Sequence, residues 1–145
     1  MKGHRFQIIA GFTLIEVVVV MAILGLLVTV LLPSFSRSRA VARDTKRKGD
    51  LESVRQALET YRSDQTPPIY PAAVSGQPSG IVPNYQSTYP VDPLSAQRYV
   101  YVQLSAGIGY GLCAKLETET TGTAPDCPGM AACGTGQCNY EVKNP

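Results

Sequence analysis

The 145 residues carry a formal charge of +2 and an apolar content of 44%, which leaves room for one modest domain. Lys2 and Arg5 alone supply two positive charges, so a chain that loses its first residues is near neutral, and general attraction to nucleic acid has no support from net charge. The single histidine is His4, which excludes a Ser-His-Asp or Cys-His mechanism from the rest of the chain.

The apolar residues are concentrated near the start. In FTLIEVVVVMAILGLLVTVLL, from Phe12 to Leu32, 17 of 21 residues are Ala, Val, Ile, Leu, Met or Phe. As a helix this run extends about 30 Å, the thickness of a bilayer core. Four consecutive valines, Val17 to Val20, favour strand locally, but in lipid only a helix satisfies its own backbone hydrogen bonds. The run is longer than the apolar part of a secretory signal, about 7–15 residues, and no Ala-x-Ala site follows it. Glu16 stands one turn inside the run. An ionisable residue there is costly in lipid unless paired, which marks it as functional with a partner still to be found; the simpler alternative is an interfacial acid at a helix N-terminus.

The string Gly11-Phe12-Thr13-Leu14-Ile15-Glu16 before an apolar stretch resembles the prepilin motif of type IV pilins and type II secretion pseudopilins. The resemblance covers residues 7–64 well and the remainder loosely. It implies a leader peptide over residues 1–11, cleaved between Gly11 and Phe12 by a prepilin peptidase that also N-methylates Phe12. It further implies that Glu16 acts in filament assembly by receiving the Phe12 amine of a neighbouring subunit. Gly25 and Pro33, where many members carry a helix-disturbing proline, mark a bend in the helix. The N-terminus would lie in the cytoplasm and the head outside it. Charge counting alone says the reverse, because Arg37, Arg39, Arg43, Lys46, Arg47 and Lys48 follow the span and only Lys2 and Arg5 precede it.

Beyond a transmembrane and polymerisation helix over 12–33, an amphipathic helix over 34–64 continues into the head. Leu51, Val54, Leu58 and Tyr61 recur at helical spacing as one buried face. Residues 43–50 contain no apolar residue and read as a solvated neck, weakened by Gly49. Thr66-Pro67-Pro68 stops the helix, and seven prolines in 65–95 indicate a long connecting loop. Residues 98–104 and 110–116 read as a hairpin of two strands, with Tyr99, Tyr101 and Tyr110 as sheet-packing residues. A third short strand covers 139–142. The fold class is therefore α+β, a long N-terminal helix packed on an antiparallel sheet of about three strands, with residues 65–145 forming a loop and a Cys-rich head. That is the pilin plan, and Val91-Asp92-Pro93 looks like the Asp-Pro element of major pseudopilins.

Cys113, Cys127, Cys133 and Cys138 lie in the last third of the chain without a Cys-x-x-Cys pair or nearby histidine, which favours disulfides in an oxidising compartment over zinc. Four cysteines allow three pairings. If the strands next to Cys113 and Cys138 are neighbours, Cys113 pairs with Cys138 and Cys127 with Cys133. Relatives often hold calcium in a late acidic loop, but Glu117, Glu119, Asp126 and Glu141 are scattered here and calcium needs six to eight converging oxygens. No metal or other cofactor is expected, and no catalytic residue set. The expected function is that of a pilin or pseudopilin subunit of a filament for adhesion, motility, DNA uptake or secretion. Its expected partners are copies of itself or related pilins, prepilin peptidase, the inner-membrane assembly machinery and, before assembly, membrane lipid; nucleic acid is not among them. The head is first extracytoplasmic on a single-pass anchor, then part of an extracellular or periplasmic filament. The alternative is a non-polymerising, membrane-anchored binding module outside the cytoplasm.

Overall fold

A computed structural model of the chain describes residues 11–119, 127 and 133–144, with the side chains of residues 30–34 excepted. Residues 1–10 of the expected leader, the side chain of Pro33, and Asp126 lie outside the described residues. The element order is helix α1 (Leu14–Asp64), strands β1 (Ala73–Val74), β2 (Gln77–Pro78) and β3 (Val100–Leu104), a 3-10 turn (Ser105–Gly107), then β4 (Gly109–Ala114) and β5 (Tyr140–Lys143). The fold is thus α+β, with a long N-terminal helix and a three-stranded antiparallel sheet in the order β3-β4-β5. The chain divides into two units, Met1–Arg37 and Ser38–Pro145.

In the first unit α1 begins immediately after Thr13. The Thr13 hydroxyl accepts a hydrogen bond from the Glu16 amide at 3.3 Å, and the Thr13 carbonyl accepts from the Val17 amide at 3.3 Å. Thr13 is therefore the N-cap, satisfying a donor that no helical carbonyl reaches. The apolar side chains on either side of it are exposed, from Phe12 at 84% to Val17 at 44%. No helix among the described residues is long and apolar enough to cross a membrane. The described side chains of the apolar run stop at Thr29, short of the Leu32 end of the expected span.

The second unit is built on the period-two alternation of its sheet. Tyr99 and Tyr101 with Tyr110, Leu112 and Ala114 share one core with Leu51, Val54, Ala57 and Leu58 of α1. The intervening residues Val100 and Cys113 point to the other face, where they form a second, smaller core with Cys127 and Cys133. One face of the sheet is thus closed by the helix and the other by cysteines. The segment after α1 is irregular apart from the two-residue strands β1 and β2, paired Ala73 to Pro78 and Val74 to Gln77. It is pinned at the sheet edge by the Tyr101 amide, which donates to Gly76 O at 2.7 Å.

Both disulfides form, but with partners other than those expected: Cys113 bonds Cys127 and Cys133 bonds Cys138. The register of β4 and β5 explains the correction. Glu141 lies opposite Cys113, and Ala114 lies opposite Tyr140. Cys138 is three residues before Glu141, a displacement of about 10 Å along a strand, whereas a disulfide needs Cα atoms no more than about 7 Å apart.

Candidate assembly site and the clasp on the neck

Two places carry charge in unusual surroundings, one in each unit. At the start of α1, Phe12, Glu16, Val17, Val20 and Met21 line one shallow apolar concavity. Phe12 precedes the N-cap and Val17 is the fourth residue of the helix, the spacing at which apolar pairs brace a helix start. The same string, Thr13-x-x-Glu16, is a capping-box sequence. Glu16 is exposed in the first turn, where the helix dipole favours a carboxylate. Gly11 is exposed and outside the helix, with nothing within 4 Å of an added Cβ. Gly25 likewise has open space around it, and the helix runs on through Pro33.

The second place is the neck, which is exposed at Thr45, Lys46 and Gly49 as the sequence suggests but not at Asp44 and Arg47. The Arg47 side chain is wholly buried and Asp44 nearly so. Arg47 donates through Nε and Nη2 to the Asp92 carboxylate at 2.8 and 3.0 Å, and through Nη1 to Asp44 and to Glu117, each at 2.7 Å. The Asp44 carboxylate also accepts from the Glu117 amide at 2.9 Å, the Thr118 amide at 2.8 Å and the Thr118 hydroxyl at 2.7 Å. Arg43 grips Glu117 through two bonds of 2.7 and 2.5 Å, and Lys48 pairs with Glu119 at 2.5 Å. A guanidinium has five donors in a fixed fork and can be buried only when carboxylates converge on it. Here three do.

The protonation equilibria follow from these contacts. The bonds to Asp92 raise the Arg47 pKa against the opposing effect of burial. Glu117 is held at about 2, first by the Arg43 hydrogen bonds and then by Arg47. Burial pushes Asp44 up, yet its bonds from Thr118, the Glu117 amide and Arg47 outweigh this and leave it below the usual carboxylate range.

The clasp also accounts for the run of positive charge. Arg43, Lys46, Arg47 and Lys48 are each bonded to a carboxylate, Lys46 to Asp50 at 2.8 Å. Four basic side chains thus meet Asp44, Asp50, Asp92, Glu117 and Glu119, so the positive charge of the neck is balanced within the head. None of this was read from the sequence, because the partners of Arg47 stand 45 and 70 residues away; the local signal was the Asp44/Arg47 pair three residues apart. Of the acids considered for calcium, Glu117 and Glu119 are committed to these cations. Among the described residues, the group whose ligand atoms converge is Cys113, Cys127 and Glu141, and its two sulfurs are joined to each other.

Residues 9–32 match the prokaryotic N-terminal methylation motif. The chain is 37% identical over 67 residues to the type II secretion system core protein G of Pseudomonas aeruginosa, covering 46% of each chain. It is 36% identical over 76 residues to the protein of that name from Vibrio cholerae, covering 52% of this chain and 49% of the relative. With that of Pectobacterium carotovorum it shares 33% over 75 residues, 52% of this chain and 45% of the relative. The chain therefore spans about half the length of the curated relatives it matches. No solved structure matches it.

Proposed function

We propose that this chain, which belongs through its N-terminal segment to the type IV pilin and pseudopilin family, is a filament subunit of a secretion pseudopilus. The observation that carries the reading is the place of Glu16: an exposed carboxylate in the first turn of a helix whose apolar side chains around it, Phe12, Val17 and Val20 among them, are exposed as well. The name of the relatives, type II secretion system core protein G, favours secretion among the uses of such filaments.

In this reading prepilin peptidase cuts after Gly11 and methylates the exposed Phe12 amine. The helix over 12–33 anchors the subunit in the inner membrane, and the head, stapled by two disulfides, faces the oxidising side. Phe12 and Glu16 are about 6 Å apart along a helix. A neighbour shifted along the filament axis brings its Phe12 amine to this Glu16, so each subunit gives and receives one ion pair. An unpaired charge in an apolar bundle costs several kcal/mol, so the pairing sets register as well as neutralising both groups. Gly25 and Pro33 are the places where the helix yields as it leaves lipid for the filament.

The test is Glu16→Ala and Glu16→Gln, with processed subunit and filament yield measured together. Cleavage and membrane insertion should persist, since removing a charge eases insertion, while filaments are lost or strongly reduced. Normal filaments from Glu16→Ala subunits would refute the pairing. A non-polymerising anchored module forms no filament in the parent chain either.

A further inference from the structure

We propose that Cys113, Cys127 and Glu141 form a binding site for zinc in the reduced chain, and that formation of the Cys113–Cys127 disulfide expels the ion. The three side chains belong to the second unit, so the site does not depend on the assembly reading.

Cys113 lies in the central strand of the sheet, opposite Val100 of β3 on one side and Glu141 of β5 on the other. Residues directly opposite each other in an antiparallel pair project to the same face. Cys113 and Glu141 therefore stand side by side on the face turned away from α1. Cys127 packs in the same small core with Val100 and Cys133, and Val102 lies against it. The two cysteine sulfurs and a Glu141 carboxylate oxygen all lie within 4.8 Å of one another. Cys113 is fully buried, Cys127 nearly so, and the Glu141 side chain is 6% exposed.

The disulfide does not explain a carboxylate in that position, because its sulfurs carry no proton to donate. The ion pair of Glu141 with Lys143 is long, at 3.8 Å, and the lysine side chain is half exposed. In the reduced chain the same atoms offer two thiolates and a carboxylate, all donors that zinc accepts. Around a tetrahedral zinc, with Zn–S near 2.3 Å and Zn–O about 2.0–2.2 Å, ligand atoms stand about 3.6–3.8 Å apart. The carboxylate needs only a small adjustment to meet that spacing, and the sulfurs must part by about 2 Å from bonding distance. The fourth position is open to water, as in zinc sites with three protein ligands. Two soft sulfurs select zinc over calcium or magnesium, which take six or more oxygens. Strand register supplies the third ligand, so the sequence shows no metal motif.

Binding displaces one proton from each thiol as the two Zn–S bonds form. Oxidation then runs through thiol–disulfide exchange. The two thiolates give two electrons to a disulfide-bearing oxidant, whose own S–S bond opens and takes up two protons to become two thiols. Sγ of Cys113 joins Sγ of Cys127, both Zn–S bonds break, and the ion leaves as Zn²⁺. A disulfide sulfur carries no thiolate charge, and Glu141 by itself does not hold the ion. Metal and disulfide are thus alternative states of the same two cysteines.

The test uses the full chain with Cys133→Ser/Cys138→Ser, which leaves the proposed pair as its only thiols, reduced with a phosphine in detergent micelles. Zn²⁺ is titrated by calorimetry, and Co²⁺ by absorbance in the thiolate-to-cobalt charge-transfer and tetrahedral d–d bands. The reduced chain should bind one ion with release of two protons, the oxidised chain should bind none, and oxidised glutathione should expel the ion. Glu141→Gln should weaken binding by about 10–100-fold or more, since even a partner of a metal ligand is worth that much. Glu141→His, which exchanges one zinc ligand for another, should restore it, and circular dichroism of each variant checks that the head is folded. Absence of the charge-transfer band in the reduced chain overturns the proposal. So does equal affinity in Glu141→Gln, which leaves two thiols binding without the sheet's help, or failure of Glu141→His to restore what Glu141→Gln loses. No filament is read, so failure of the assembly reading leaves this result intact.

Discussion

Replacing Arg47 by methionine removes the guanidinium at the centre of the clasp and keeps much of its packing volume. Its partners are left unequally provided for. Asp44 retains the Glu117 and Thr118 amides and the Thr118 hydroxyl, and Glu117 retains Arg43. Asp92, which is 6% exposed, keeps among the described residues only the Leu94 amide at 2.8 Å. Breaking a buried ion pair from one side costs about 3–5 kcal/mol, most of it the stranded charge. Against a total stability of about 5–15 kcal/mol, and at roughly 4 °C or more per kcal/mol for a domain near 100 residues, the melting temperature should fall by more than 10 °C. The measurement is thermal unfolding of the detergent-solubilised chain followed by circular dichroism. Arg47→Met/Asp92→Leu should recover much of the loss, because exchanging a whole buried pair for apolar groups is close to neutral. If Arg47→Met melts within about 2 °C of the parent, the clasp is hydrated in solution and the reasoning fails.

Acid should open the same site. Glu117 and Asp44 both titrate below their ordinary values, so their contribution is complete above about pH 4.5 and declines as pH falls toward 2; Glu117→Gln should flatten a plot of denaturant midpoint against pH over that interval. Leu58→Ala, at a fully buried position between helix and sheet, should cost about 2–5 kcal/mol in chemical denaturation. Gly134 has a φ of +90°, and an added Cβ would fall 2.0 Å from the Ala96 carbonyl oxygen. Gly134→Ala should therefore break the bridge between Gln97 and Gly134, read as lost amide protection at Thr135, which donates to Ala96 O. Thr13→Ala removes the N-cap at a cost of about 1 kcal/mol, visible as faster exchange of the Glu16 amide.

What could be read from the sequence was local. The spacing of Leu51, Val54 and Leu58 identifies the face that the sheet covers, and alternation in 98–104 and 110–116 identifies the hairpin, because helix and strand periods are written in consecutive residues. The tyrosines at 99, 101 and 110 pack as sheet residues for the same reason. The neck was misread because residue type alone sets its apparent polarity. Whether Arg47 is hydrated or buried is decided by Asp92 and Glu117, and nothing in 43–50 reports on residues so far along the chain. The disulfide pairing failed on register: the third strand lies one residue later than expected, at Tyr140–Lys143, and a strand's existence does not fix which residue stands opposite Cys113.

The tyrosines between helix and sheet have a mechanical consequence. A helix resting on a sheet through aliphatic side chains can creep along it, since one set of dispersion contacts replaces another. Here Tyr70 and Tyr110 on the sheet side donate to Glu59 at 3.0 and 3.1 Å, and Tyr99 donates to Asp50 at 2.7 Å. These bonds are tied to points nine residues apart on α1, about 13 Å of helix. A slip of one residue, about 1.5 Å, stretches and misaligns these bonds, and a roll about the axis does so as well. They act as detents against shear and torsion alike, so that a thrust applied to residues 38–64 moves the sheet with it instead of sliding beneath it.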